Sequence, residues 1–251
     1  EYGTGVNVRK LYGEWNFGGG KFLVGQTYTP LNWFYSDQVF GGDNDLLAQG
    51  GLYSGREGML QLTFGDFKVA LLAPNTTIAG ATSTEVKMPG VEASYSMKMD
   101  TVGFKLGVGY QKFDVTVGAV DDDVTSYILA LGVNGNFGAF YVGGNVYWGQ
   151  NAGNMIAIDT NGDNGWDEGY AALNGTAVVD NDAMGAMIAA GFTLNDMFNF
   201  EAGYGYVETE YDIAGSTKDK AQSYYLNATV TLAPGVFFVP EIGVIDGDEN
   251  G

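Results

Sequence analysis

The segment with the sharpest chemistry is Asp159-Thr-Asn-Gly-Asp-Asn-Gly-Trp-Asp-Glu168. Asp159, Asn161, Asp163 and Asp167 place oxygen ligands at alternate positions, which is the spacing of a calcium-binding loop. Asn164 stands where an EF-hand needs glycine, and Tyr170 where it needs its bidentate glutamate. Two readings follow, a structural calcium ion or a solvated Asp/Asn/Gly-rich loop, and the second carries more weight. No other cofactor is implied. The 251-residue chain has no Cys and no His, which removes the thiol nucleophile, the disulfide framework and the commonest general base. No serine stands beside a carboxylate or lysine in a pattern that would activate it, so an enzyme is not expected. A net charge of −19 leaves no basic stripe to neutralise phosphates, which argues against nucleic acid.

The elements that must position any site read as strands. Between Val124 and Gln150 two alternating runs meet at Gly138. On one face lie Tyr127, Leu129, Leu131, Val133 and Phe137, then Phe140, Val142, Val146 and Trp148. The other face carries Ser126, Ala130, Gly132, Asn134 and Asn136, then Tyr141, Gly143, Asn145 and Tyr147. A period of two across a tight turn is a β-hairpin. Its apolar face is aliphatic in the middle and aromatic at both ends. Ten residues separate Tyr127 from Phe137; at roughly 3.3 Å per residue and a tilt near 40° they span about 25 Å, the height of the lipid band of an outer-membrane barrel. The small, polar face predicts a wet lumen rather than a packed core.

The same pattern recurs along the chain and predicts twelve strands in six hairpins, with short turns near Gly19, Gly65, Asp100, Gly138, Asn195 and Gly235. Long segments alternate with these turns, notably 30–54 and 151–182, and the acids concentrate there, at Asp121–Asp123 among others. Short periplasmic turns alternating with long outer loops are the rule of up-and-down transmembrane barrels. The longest unbroken apolar run, Ala183–Phe192, falls short of the roughly 20 residues of a spanning helix. The expected fold is therefore all-β, a single transmembrane antiparallel barrel over residues 1–251. Both ends of the chain fall outside the periplasm in this count, so the barrel reads as incomplete at each, with sixteen strands in the complete protein.

Alternation turns Lys10, Glu14, Glu57, Lys68, Glu92, Lys98, Lys105, Glu201 and Glu241 inward, as pore-lining charges. Asp37 and Asp43 on the first long loop, with Arg56 beside it, are candidates for a constriction. Arg56 falls on the lipid side by strict alternation and reaches the lumen only if a bulge shifts it. The strand Lys21–Thr29 has mixed faces, and Gln26 toward lipid would leave an amide unsatisfied, which suggests a subunit interface.

Once these strands are placed, Lys10-Leu-Tyr-Gly-Glu-Trp15, Phe22-Leu-Val-Gly-Gln-Thr-Tyr28, Gly55-Arg-Glu57 and the hairpin around Phe64-Gly-Asp-Phe67 resemble Gram-negative trimeric outer-membrane porins, the DcaP-like ones most closely. The likeness covers roughly the first 75 residues in wording and the rest in architecture. It implies a sixteen-stranded water-filled channel with a loop folded into the lumen, assembled as a homotrimer among outer-membrane lipid and lipopolysaccharide. The function expected is passive diffusion of small hydrophilic solutes and ions. The rival is a non-conducting barrel whose acidic outer loops mediate adhesion. Small lumen-facing residues favour the open channel.

Overall fold

The computed structural model of the protein describes residues 8–40, 46–78, 81–160 and 169–248. Its strands, in chain order, are β1 (Leu11–Asn16), β2 (Lys21–Tyr28), β3 (Arg56–Phe64), β4 (Phe67–Leu72), β5 (Ser83–Glu85), β6 (Gly90–Met99), β7 (Val102–Val117) and β8 (Val120–Phe137). They continue with β9 (Phe140–Gln150), β10 (Ala172–Asn174), β11 (Ala177–Val179), β12 (Asn181–Thr193), β13 (Phe198–Tyr211), β14 (Asp219–Ala233), β15 (Val236–Phe238) and β16 (Glu241–Asp248). All except the β10–β11 hairpin belong to one 14-stranded antiparallel sheet. β5 pairs only with the far end of β7, and β15 and β16 both pair with β14, with one register shift between Thr231 and Ala233. Setting β5 aside and counting β15 with β16 as one leaves twelve wall strands among the described residues. Pro240 separates the last two because it has no N–H for the ladder. Its carbonyl still accepts from the Ala228 amide at 3.1 Å.

Alternation sorts the wall into two faces. Leu106, Leu129, Leu131, Ile188, Leu226 and Ile242 are exposed on the outer one, which is the surface a bilayer covers. Its turn-side border is a row of phenylalanines running across four strands, Phe137 opposite Phe140, Phe140 opposite Phe192 and Phe192 opposite Phe200. Tyr110 opposite Tyr127 and Tyr204 opposite Tyr224 mark the other border. This is a transmembrane antiparallel up-and-down β-barrel wall. Its inner face meets one loop on strands as far apart as β6, β9, β13, β14 and β16, so the sheet wraps round that loop. β1 and β16 each have a partner strand on one side only among the described residues.

Three expectations change. The acids Asp121–Asp123 lie inside β8, opposite Thr116, Val115 and Asp114, and not in a loop. β7 and β8 run on past the lipid band and turn at Gly118, whose φ of +64° suits glycine. Three consecutive exposed acids interrupt the apolar alternation of β8, so the stretch reads as a loop, although Val115 and Val124 beside it are buried in a cluster with Phe113 and Ala171. The faces of β2 also sort cleanly. Phe22 and Val24 align with outward Leu62 and Leu60, while Leu23 packs inward with Met59, Ala70 and Leu72. Finally, Gln26 donates its amide to the carbonyl oxygens of Val8 at 3.1 Å and Arg9 at 3.4 Å, so no neighbouring subunit is needed to satisfy it.

Candidate functional site

Residues 29–40 and 46–55, between β2 and β3, fold into the lumen. The loop closes on itself through the Trp33 amide donating to Leu52 O at 2.9 Å and the Trp33 indole N–H to Pro30 O at 3.0 Å. Its outer anchors are carboxylates on the wall. Glu92 accepts the Leu31 amide at 3.2 Å. Glu201 accepts the Asp37 amide at 2.6 Å, the Tyr141 hydroxyl at 2.9 Å and the Tyr225 hydroxyl. Glu241 accepts the amides of Val39 and Phe40 at 2.9 and 3.0 Å. Amide side chains complete the set, Asn145 donating to Gly50 O at 2.7 Å and Asn227 to Asp37 O at 2.8 Å. A carboxylate that receives several donors is well satisfied in a half-dry lumen, and these bonds tie the loop's backbone to the wall.

The lumen is therefore not uniformly wet, contrary to the expectation from its small residues. Leu31, Trp33 and Leu52 of this loop pack with Met155, Ile156 and Ile158 of a second in-folded segment and with Ile128, Ala130 and Tyr147 of the wall. The glycines seat the loop. A Cβ at Gly107 would lie 2.7 Å from Leu31 Cδ2 and Trp33 Cζ2, and one at Gly132 would lie 3.0 Å from the Trp33 ring. Packing of this kind excludes water from that side and leaves the other open.

On the open side lies a cavity of about 780 Å³. Arg9 lines it from the segment before β1, Tyr28 and Arg56 from β2 and β3, and Asp37, Tyr141 and Glu201 from the loop and the far wall. The β2–β3 ladder keeps its register to Tyr28 opposite Arg56, with no bulge. Arg56 reaches the cavity because it is the first residue of β3, where the chain leaves the loop. Its guanidinium donates to the Tyr28 hydroxyl at 3.1 Å and lies 5.4 Å from that ring's centre. Lys10 covers the same ring at 4.5 Å, Phe34 meets it edge-on at 5.0 Å, and Tyr53 lies tilted to it at 6.2 Å.

The other inward charges form smaller groups. Glu57 and Glu92 share a small cavity with Gln111 and Asn154. Lys98 and Lys105 line a cavity of about 410 Å³ at the short-turn end, and Lys105 sits 4.8 Å from the Trp33 ring centre. Glu14 pairs with Lys21 at 2.9 Å. Lys68 is exposed, paired across the ladder with Ser94. Asp43 lies outside the described residues, as do Asn161, Asp163 and Asp167. Asp159 is fully buried and accepts the Gln49 side-chain amide at 3.0 Å. Among the described residues no three acidic groups come together as a metal site. Sequence reading missed Arg9, and alternation turned Tyr141, Tyr225 and Asn227 inward without marking them as site residues. The available signal was their level, since Glu201, Tyr225 and Asn227 alternate inward on adjacent strands.

Wall, girdles and in-folded loop define a channel-type barrel of the bacterial outer membrane. The chain belongs to the Gram-negative porin family, which it matches over residues 11–250. Its fold is similar to that of a loop L8 deletion mutant of OmpT, an outer membrane protein of Vibrio cholerae (17% identity, TM-score 0.63, covering 97% of this chain and 76% of that one). It is also similar to OmpF of Salmonella typhi in complex with daunomycin (14%, 0.60, 92% and 68%) and to the outer membrane channel DcaP of Acinetobacter baumannii (12%, 0.55, 89% and 70%). At these identities the likeness is one of fold. No curated protein sequence matches the chain.

Proposed function

We propose that this porin is a passive diffusion channel for small hydrophilic solutes and ions. The observation that carries the reading is a succession of cavities beside the loop. Tyr53 lines both the main cavity and one of about 390 Å³ nearer the long-loop end, with Ser54, Asn75 and Tyr170. Tyr35, Asn134 and Asn136 line both the main cavity and the one at the short-turn end. Shared linings from one end to the other support a path, with polar side chains at each of its three stations. No step along it needs a cofactor or an energy source.

The charges beside the path favour anions in its middle. Arg9 and Arg56 are the chain's two arginines, and neither has an ion-pair partner among the described residues. Glu201, by contrast, is occupied in holding the loop. A fixed cation without a partner raises the local concentration of anions. Conductance of the protein in a planar bilayer is the test. A steady, ohmic conductance supports the channel; a folded but silent barrel overturns it in favour of the adhesive reading. Under a salt gradient, Arg56→Ala is expected to shift the reversal potential toward cation preference.

Homotrimeric assembly in lipid and lipopolysaccharide is proposed on the porin resemblance. Its support in this chain is the exposed outer face of β1, where Leu11 and Trp15 are 71% and 66% exposed. A cysteine at Leu11 would be the only thiol, so a disulfide or bis-maleimide product from it reports a neighbouring copy directly. Labelling by lipid-soluble probes alone, with no crosslink, would place the interface elsewhere.

A further inference from the structure

The inner wall carries a second group of cations, away from the main cavity. Lys68 on β4, Lys98 on β6 and Lys105 on β7 share the lumen face of three adjacent strands at the short-turn end. Lys68 stands opposite Ser94, Lys105 opposite Ser96 and Lys98 opposite Gly103. Lys98 and Lys105 are therefore diagonal neighbours, with backbones roughly 7–8 Å apart, and Ser94 and Ser96 lie on the strand between Lys68 and Lys105.

Like charges at such positions repel, and a carboxylate would relieve them. Lys21, Lys87, Lys112 and Lys218 each have one. Among the described residues Lys68, Lys98 and Lys105 form no ion pair, although Asp66 and Asp100 line the same cavity from its turns. Lys105 is held in place by the Trp33 ring, 4.8 Å from its Nζ. The rest of the lining of this cavity of about 410 Å³ includes hydroxyl and amide groups, from Ser96, Asn134, Asn136 and Tyr35. Three cations kept together without a fixed counter-charge, among neutral donors, suit a counter-ion that comes and goes.

We propose that Lys68, Lys98 and Lys105, with Ser96 and Asn134, form a binding station for a multivalent oxyanion, inorganic phosphate or a phosphate monoester, at the short-turn mouth. This deepens the channel reading and rests on it for the onward route, past Tyr35 to the main cavity, which Tyr35 also lines. The side chains select the class of anion. An ammonium is a compact charge with three donors on a flexible stem, so several can converge on one tetrahedral dianion. A planar carboxylate is better matched by the fork of an arginine, and this station has none. Chloride, with a single charge, gains less from each lysine.

Phosphate titration in potassium chloride, with the full chain in a planar bilayer, tests the station. Inorganic phosphate is expected to reduce the chloride current of the parent. Lys98→Gln combined with Lys105→Gln is expected to raise the half-blocking concentration about tenfold, because two charge-assisted contacts are lost. Lys98→Arg with Lys105→Arg keeps both charges and should stay within about threefold of the parent. Line broadening of the phosphorus resonance of phosphate by the folded protein in detergent reads the same binding without a current. Should loss of the Trp33 contact prevent folding, Lys68→Gln with Lys98→Gln carries the test, since it leaves that contact in place. A parent with no phosphate response in either measurement overturns the proposal, as do folded glutamine variants that respond as the parent does. A silent parent that still broadens the phosphate line in a lysine-dependent way keeps the station and refutes the channel reading instead.

Discussion

Three glutamates, Glu92, Glu201 and Glu241, show how one residue type serves different ends in a barrel lumen. Each alternates inward, and each accepts backbone amides from the same loop. Their oxygens are engaged by the loop's donors, whereas Arg9 and Arg56 have no ion-pair partner among the described residues. Glu201→Ala would strand the part-buried Asp37 amide and Tyr141 hydroxyl, while Tyr225 keeps the Ser36 hydroxyl at 2.6 Å, and the loss is about 1–3 kcal/mol for each donor left unmet by water. A fall in the midpoint of denaturant unfolding in detergent should report it, and Glu201→Gln, which retains one acceptor oxygen, should lose less. Gly132 makes the complementary case. Leu in its place would meet the Trp33 ring, so Gly132→Leu is expected to displace the loop and change conductance while the wall still folds.

At the scale of elements, strand length separates what lies in lipid from what stands above it. β7 and β8 carry 16 and 18 residues, more than the roughly 9–11 that cross a bilayer. Their surplus pairs Asp114 with Asp123 and Thr116 with Asp121, residues suited to water. Like-charged neighbours across a ladder are unfavourable in isolation. Here Lys112 bonds to Asp123 at 3.0 Å, and Lys87 bonds to Asp114, which offsets the repulsion. A peptide tag inserted between Gly118 and Ala119 is accordingly expected to be accessible to antibody on intact cells, without loss of heat-modifiable migration. Inaccessibility would mean that this hairpin faces the periplasm and the orientation is inverted.

For the whole molecule, two solvents act on one sheet. The outer face must satisfy lipid and the inner face must hold a loop while leaving a passage beside it. Leu131 sits mid-height on the outer face, paired with Leu106 and Val146. Leu131→Arg is expected to cost roughly 2–4 kcal/mol at the bilayer midplane, read from refolding equilibria in lipid vesicles. A neutral effect would remove this face from the membrane. The passage depends on asymmetry, because the apolar cluster of the two in-folded segments occupies one side of the lumen. A lumen filled evenly would leave no path of comparable width.

Sequence alone determined the wall. Alternation of period two, aromatic borders about ten residues apart and short turns between long segments are local properties, and lipid enforces them at every strand. It also determined which side chains point inward, since register and pleat leave two choices for each residue. Tertiary structure decided what the inward residues do. Small residues such as Gly107 and Gly132 look like open space along the chain, yet they seat Leu31 and Trp33, which are distant in sequence. Glu201 looks like a free pore charge until the Asp37 amide arrives from 164 residues away. Arg56 falls outward by parity, but at a strand end the loop and Tyr28, not the pleat, set where its guanidinium lies. Those partners come from segments with no periodicity of their own, and only the closed-up lumen brings them together.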